Sequence, residues 1–352
     1  MATRIFLRPD WCKNIFLFGN LGAGKTTFLR ALGKKIGING IKSPTFLGIA
    51  NYKIPGKKIF LAHADFFQKK VSAKFLPEIL ENLEKNFFAA EWSENFPKKF
   101  LPNNRIEIQI SIPKKITEKN KFERTVEIIF FDSSKGDEKK IQEIIKKWQP
   151  PKHVFSHCVG VASVANFLAE KLEKAGIPLD RDLIIFGGIL HDLVRICNFP
   201  ELDFARFPEK ITEKKKQKWQ KIHQKFNKMH HSVAAAKILK AEKLFSLSEV
   251  VARHRNNSIF GDEMVAEEKC VFLADKYVLH DKIVDLKTRL QDSKKRHLGW
   301  ESKKFLQFSK KIKQFEKDFW KMAQIKSGEI SEKNPKISKN LENYWKKFWV
   351  KD

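Results

Sequence analysis

The stretch Gly19-Asn20-Leu21-Gly22-Ala23-Gly24-Lys25-Thr26 satisfies the spacing G-x-x-x-x-G-K-[ST] of a phosphate-binding loop. Its flanks agree. Asn14-Ile-Phe-Leu-Phe18 is a short apolar run of buried-strand type. Behind the loop, Phe28, Leu32 and Ile36 are spaced as on a helix packed against a sheet. Strand, glycine loop and helix in this order aim backbone N–H groups and a helix N-terminus at phosphate oxygens. Lys25 adds a point charge there, and the Thr26 hydroxyl is a ligand for Mg²⁺. A glycine-rich turn before an ordinary helix is the competing reading. The coincidence of loop, lysine, threonine and both flanks weighs against it.

With 352 residues the chain is long enough for two domains, each with its own core. A hydrophobic share of 42% makes it globular rather than disordered. No apolar run reaches the length of a membrane span, and Met1-Ala-Thr-Arg lacks a signal-peptide layout, so a cytoplasmic protein without membrane contact is expected. Cys12, Cys158, Cys197 and Cys270 are scattered without a C-x-x-C pair, which fits reduced thiols. The net charge of +28 suggests a polyanionic partner. The excess is lysine, however, spread evenly with Phe, Ile and Asn as a low-GC coding sequence would produce, so the charge is a weak argument.

Downstream of the loop come Ser43-Pro44-Thr45-Phe46, a strand over about 46–52, a turn at Gly56, and a strand over Lys58–Asp65 that ends in an acid. A third apolar stretch, Asn86–Trp92, contains Glu91 at the matching point. Carboxylates at the C-terminal ends of strands stand where an open α/β sheet gathers its catalytic groups. Asp65 is suited to hold Mg²⁺ through water or to orient an attacking water.

In order and spacing, Gly19–Thr27, Ser43–Phe46, His63-Ala64-Asp65 and Glu91-Trp92 resemble the TsaE (YjeE) family, P-loop ATPases that support threonylcarbamoyladenosine synthesis in bacterial tRNA. The resemblance covers about residues 5–132, including strands near 105–112 and 123–131. It implies that Gly19, Gly22, Ala23, Gly24, Lys25, Thr26 and Thr27 bind ATP, with Thr26 and Asp65 on Mg²⁺. Thr45 would be a switch-like threonine near the γ-phosphate, Asp65 and Glu91 the acids of the ATPase site, and Trp92 a neighbour of the nucleotide. It further implies TsaB- and TsaD-like partners, with tRNA reached through that complex. ATP hydrolysis would reset the complex, and this subunit would not transfer the carbamoyl group. Phe66-Phe67-Gln68 departs from the family's Leu-Tyr-Arg-like run, and Gln68 cannot supply an arginine's charge.

Ser133–Asp137 is a polar break, and Glu138–Trp148 reads as a helix with Ile141, Ile144, Ile145 and Trp148 on one face, stopped by Pro150-Pro151. The expected organisation is an α/β P-loop domain over 1–149, an all-α domain over 150–325, and a basic aromatic tail over 326–352.

Beyond 150 the pattern is helical. His157 opens a helix with Val161, Val164, Leu168 and Leu172 on one face, which puts the histidine on the buried side. His191-Asp192 ends an apolar helix, His231 begins a small-residue helix, His254 follows Val250-Val-Ala-Arg, and Asp275 follows an apolar run. A single histidine on an apolar face is usually a core residue; four with two aspartates, each at a helix end, suit Fe, Mn, Zn or a two-metal centre. Such a centre activates water and braces a phosphoryl oxygen.

The strings His157–Ala162, Gly187–Asp192, His231–Ala236 and Phe272–Lys276 resemble HD-domain phosphohydrolases of the YqeK type over about 150–292. That resemblance implies His157, His191, Asp192 and Asp275 as core ligands, with Asp192 at the catalytic centre, and His231 and His254 completing a second metal position. It also implies a di-iron enzyme that cleaves diadenosine tetraphosphate to ADP. His230 competes with His231, although the alanine spacing favours His231. Arg195 keeps a cation where relatives carry lysine.

Lys210–Lys228 reads as an inserted lysine-rich helix with a solvated face, and the stretch from Trp300 as an amphipathic helix bearing Phe305, Phe308, Ile312, Phe315, Phe319 and Met322. Asn340–Trp349 mixes lysines with aromatic residues, a pattern used for base stacking but more often for packing. The leading reading is a fusion of two enzymes, an ATPase and a metal-dependent nucleotide phosphohydrolase. An HD hydrolase with the P-loop as nucleotide sensor is the alternative, and a basic RNA-binding adaptor lacking both activities is the third.

Overall fold

The computed structural model describes residues 13–44, 48–67, 71, 75–113, 115, 117–261, 263–296 and 302–349. It divides into two compact units between Ser133 and Ser134. The boundary expected near 150 therefore falls inside the second unit. The helix α3, Glu138–Trp148, belongs there because Lys140 and Lys147 pair with Glu242 and Gln142 donates to the Lys347 carbonyl.

The first unit is a six-stranded sheet in the order β2-β3-β4-β1-β5-β6. Its strands are β1 Asn14–Phe18, β2 Ile49–Lys53, β3 Phe60–Asp65, β4 Phe87–Glu91, β5 Arg105–Ser111 and β6 Thr125–Phe131. The inner four run parallel, and the edge strands β2 and β6 pair antiparallel. A parallel strand covered on both faces has no polar side, so β4 reads Phe-Phe-Ala-Ala-Glu and is buried throughout. Helix α1, Lys25–Lys35, buries Leu29, Leu32 and Gly33; of the expected stripe Phe28, Leu32 and Ile36, Leu32 is buried, while Phe28 is half-buried and Ile36 lies just past the helix, half-buried too. At Gly33 a Cβ would meet Ile41 Cδ1 at 2.3 Å. Helix α2, Leu76–Lys85, adds Ile79 and Leu83 to a core around Phe16, Phe88 and Phe96.

The second unit is helical apart from the short hairpin β7 Val278–Leu279 and β8 Lys282–Ile283. Helix α4, Lys152–Lys174, packs against α5, Arg181–Leu190, with Val161, Val164, Leu168 and Leu172 fully buried. Contact between them is close because Gly188 has no side chain: a Cβ there would lie 2.6 Å from Ala162 Cα. Helix α6, Glu213–Phe226, lies within the expected lysine-rich helix. It is not merely a solvated face, because Trp219 is buried and donates to the Gln149 carbonyl at 2.7 Å. Helices α7 His231–Ala241, α8 Phe245–Ala252, α9 Ala266–Asp275 and α10 Leu286–Arg296 follow.

Helix α11, Ser302–Ala323, buries Phe308, Ile312 and Phe319, while Met322 stays exposed. The tail forms α12, Pro335–Phe348, which packs on α4. Its Trp345 and Trp349 rings lie 5.6 and 5.1 Å from that of Phe155, and Phe348 is buried. The residues 326–352, expected as a separate tail, are thus continuous with the second unit wherever they are described.

Candidate nucleotide and metal sites

In the first unit the glycine loop turns from β1 into α1. Gly24 stands at φ +104° ahead of Lys25, and Gly19 at φ +136° approaches Ile110 so closely that a Cβ would meet its carbonyl oxygen at 2.3 Å. The Lys25 ammonium is bonded to the carbonyls of Gly19 and Asn20 and lies 3.4 Å from the centre of the Trp92 ring. Burial lowers the Lys25 pKa, against the opposing charges of Glu94, Glu91 and Asp65. Trp92 itself takes a left-handed backbone, φ 57°, and packs on Phe67.

Asp65 and Glu91 are register partners on adjacent parallel strands, so their carboxylates leave the sheet at one edge on one face. The Thr26 hydroxyl donates to Glu91 Oε2 at 2.7 Å, and Glu91 Oε1 lies 3.0 Å from Nε2 of fully buried His63. Asp65 accepts from the Ser43 hydroxyl and from the Phe67 N–H, 3.0 Å. Ala23 is buried and Thr27 exposed. Thr45 and Gln68 lie outside the described residues.

Three neighbours of this site were missed by the sequence reading. His63 stood inside the quoted motif without a role, and only strand pairing brings it to Glu91. Glu94 sits just past β4. Arg124 donates its Nε–H to the Ala23 carbonyl at 3.2 Å, a contact across the whole unit that no local pattern announces.

In the second unit, the turn after α5, the start of α7, the residues after α8 and the end of α9 converge. Helix α4 begins at Lys152, so His157 stands in its second turn rather than opening it, and it is only partly buried. Each imidazole is oriented by a bond at Nδ1. His157 bonds the His280 carbonyl at 2.9 Å, His191 that of Gly188 at 2.8 Å and His254 that of Val251 at 2.7 Å, while His231 faces Asn198 Oδ1 at 2.9 Å. A ring that gives its proton to an oxygen at Nδ1 carries a bare lone pair at Nε2.

The Nε2 atoms meet, with Arg195 Nη1 3.0 Å from that of His231. His231 and His254 Nε2 are 3.1 Å apart, with Asp192 Oδ1 3.0 Å from the first and 3.6 Å from the second. His157 Nε2 lies 3.1 Å from Asp275 Oδ1, and His191 Nε2 is 3.8 Å from Asp192 Oδ2 and 3.9 Å from Asp275 Oδ1. His191 Nε2 has no hydrogen-bond partner among the described residues. Among the described residues two groups have ligand atoms close enough to share an ion: His157, His191 and Asp192, and Asp192, His231 and His254. Asp275 borders the first group. His230 caps α7 through Ser232 and stands outside both groups.

Electrostatics agree with this geometry. Burial lowers the pKa of His191, His231 and His254, so the rings are neutral ligands at pH 7. Burial works against ionisation of Asp192, but His231, His191 and Arg195 outweigh it and hold the carboxyl well below its ordinary range. Asp275 is likewise held low against burial by Lys276, His157 and Arg289. Bare imidazole nitrogens facing a carboxylate, with an unpartnered buried donor atom among them, fit a divalent metal of the Fe, Mn or Zn kind. A cavity of about 640 Å³ opens onto this cluster.

Comparison with known proteins matches both halves. The family "TsaE: Threonylcarbamoyl adenosine biosynthesis protein TsaE" matches residues 2–122, and the family "HD: HD domain" matches residues 154–279. "tRNA threonylcarbamoyladenosine biosynthesis protein TsaE" of Haemophilus influenzae is 44% identical over 55 residues, 15% of this chain and 34% of that protein. The protein of the same name from Synechocystis is 37% identical over 90 residues, 24% of this chain and 56% of its own. "Dihydroneopterin 2',3'-cyclic phosphate phosphodiesterase" of Methanocaldococcus jannaschii is 24% identical over 153 residues, 42% of this chain and 53% of that protein. The chain thus spans a third to just over half the length of these relatives. One polypeptide joins a TsaE domain, residues 2–122, to an HD domain, residues 154–279.

Proposed function

We propose that the HD domain hydrolyses a phosphate ester or anhydride of a nucleotide with a bound divalent metal. The observation that carries this reading is the pair of Nε2 atoms of His231 and His254, 3.1 Å apart over Asp192 Oδ1, with both Nδ1 positions already engaged. His157, His191, Asp192, His231, His254 and Asp275 would hold the metal, which when bound would supply a water acidic enough to react near neutral pH. Arg195, whose Nη1 lies 3.0 Å from His231 Nε2 and whose Nε lies 3.9 Å from Asp192 Oδ2, offers positive charge to a phosphoryl oxygen. Lys276, bonded to Asp275, fixes that carboxylate. Diadenosine tetraphosphate, suggested by the YqeK-type resemblance, and a cyclic phosphodiester, suggested by the archaeal relative, head the substrates to screen.

Protein purified without air is analysed for metal and assayed on that panel, alongside His191→Ala and Asp192→Ala. Metal and turnover are expected to fall together; full metal with normal turnover in either variant refutes the reading.

For the TsaE domain we propose Mg²⁺-dependent ATP hydrolysis in support of tRNA threonylcarbamoyladenosine formation, with TsaB- and TsaD-like proteins in the cytoplasm. The contact of the Thr26 hydroxyl with Glu91, beside Lys25, favours it. Gly19, Gly22, Ala23, Gly24 and Thr27 would line the phosphates, Trp92 the base or ribose, and Asp65 the metal's water shell. Among the described residues no helix is long and apolar enough to cross a membrane.

A further inference from the structure

We propose that Arg289, on α10, is a second phosphate subsite of the HD cavity, so that the preferred substrate carries at least one phosphate besides the scissile one. The inference rests on the hydrolase reading of this site and adds a residue beyond the matched segment 154–279.

Arg289 and Arg195 line the same cavity from different elements. Arg195 follows α5 and stands beside Asp192 and His231. Arg289 comes from α10, and its charge acts on Asp275 and Lys276 instead. The two guanidinium groups therefore serve opposite carboxylates of the cluster.

The state of Arg289 also points to a ligand. Its side chain is 15% exposed, yet its Nε is buried without a hydrogen-bond partner among the described residues. Among the described residues Nη1 alone is engaged, within its own helix, by Asp292 at 3.5 Å and Ser293 at 3.2 Å. A buried guanidinium with a spare donor is costly unless an anion takes it, and a phosphate oxygen matches the fork. Leu286, about one turn earlier, and the adjacent Leu290 also line the cavity and add apolar surface to it. A nucleotide presents just such a pair of surfaces, phosphate beside a flat apolar ring. One scissile phosphate held at the Arg195 end would leave the Nε–H of Arg289 unanswered.

The test uses the full-length, metal-loaded chain with Arg289→Ala and Arg289→Lys, assayed on the p-nitrophenyl ester of thymidine monophosphate and on diadenosine tetraphosphate. For the second substrate Arg289→Ala is expected to raise KM about tenfold or more, and Arg289→Lys less, with kcat little changed. For the single-phosphate ester the loss is expected to be clearly smaller, limited to the charge Arg289 lends Asp275, since no second phosphate is there to lose. An equal loss on both substrates, or none on either, overturns the proposal. If the wild type turns over neither substrate, the hydrolase reading fails, and calorimetry on the metal-free chain still decides the subsite. Pyrophosphate binding weakened by Arg289→Ala, with inorganic phosphate binding unchanged, upholds it; pyrophosphate binding indifferent to Arg289 overturns it.

Discussion

Replacing Gly188 by alanine tests whether the metal cluster depends on the close approach of α4 and α5. A methyl group there would sit 2.6 Å from Ala162 Cα and 2.8 Å from its backbone N. Relieving that clash requires the helices to separate by about 1 Å, because carbon atoms rest at roughly 3.5–4.0 Å. Backbone atoms cannot swing aside as a side chain can. Overpacking of this kind costs about 3 kcal/mol or more, while the gain in helix propensity from Gly to Ala returns about 1 kcal/mol. The net loss of about 2 kcal/mol corresponds to a fall of roughly 4–8 °C in Tm for a unit of this size.

The measurement is thermal unfolding in excess chelator, which removes any contribution of metal binding. Gly187→Ala is the control: its Cβ meets Val250 Cγ1 at 2.7 Å, a methyl that can rotate away, so a smaller fall is expected. The same separation would draw His157 on α4 away from His191 after α5, so metal affinity in Gly188→Ala should drop beyond the stability loss. A Gly188→Ala protein that melts at or above the wild-type temperature would refute the packing argument.

Three further outcomes follow from individual contacts. Lys25→Ala should cut ATP turnover on the order of 10²-fold or more in a coupled phosphate-release assay, with and without TsaB- and TsaD-like proteins, while leaving metal content unchanged. Phe348→Ala, at a side chain 1% exposed, should destabilise the second unit by about 3–5 kcal/mol in denaturant unfolding, where a tail reserved for base stacking would show no loss. Glu170, bonded by Lys174 and Lys336, has its pKa lowered to about 2. A carboxyl depressed below its unfolded value of about 4.3 adds stability above that pH and loses it as the pH falls toward about 2. The stability difference between wild type and Glu170→Gln should therefore shrink between pH 5 and pH 2, roughly the window those two values define, as read by tryptophan fluorescence of α12.

Some of this protein could be read residue by residue. Asn14–Phe18 is a strand and Glu138–Trp148 a helix with the bounds expected, because each is a contiguous run whose period is fixed by its own backbone. The glycine loop is legible for the same reason: its function needs adjacent residues. Of the six HD-type positions, His157, His191, Asp192, His231 and His254 fall in two groups of neighbouring ligand atoms, and Asp275 lies beside the first through His157. Periodicity was less reliable where two faces compete. Leu29 is buried and Phe28 only half-buried because the sheet and Ile41 select the buried side of α1, and Trp219 turned a lysine-rich helix into a packed one.

Other features were settled only when distant elements met. The pairing of Asp65 with Glu91, and of Glu91 with His63 and Thr26, depends on strand register. The choice of His231 over His230 depends on which neighbour caps α7 and which turns inward. Arg124 on the phosphate loop and Arg289 in the HD cavity lie outside any motif. Sequence determines what a stretch can become, since local hydrogen bonding and side-chain spacing act over a few residues. Tertiary structure determines which charges and lone pairs face one another, because those distances are set by how helices and strands from remote parts of the chain are packed.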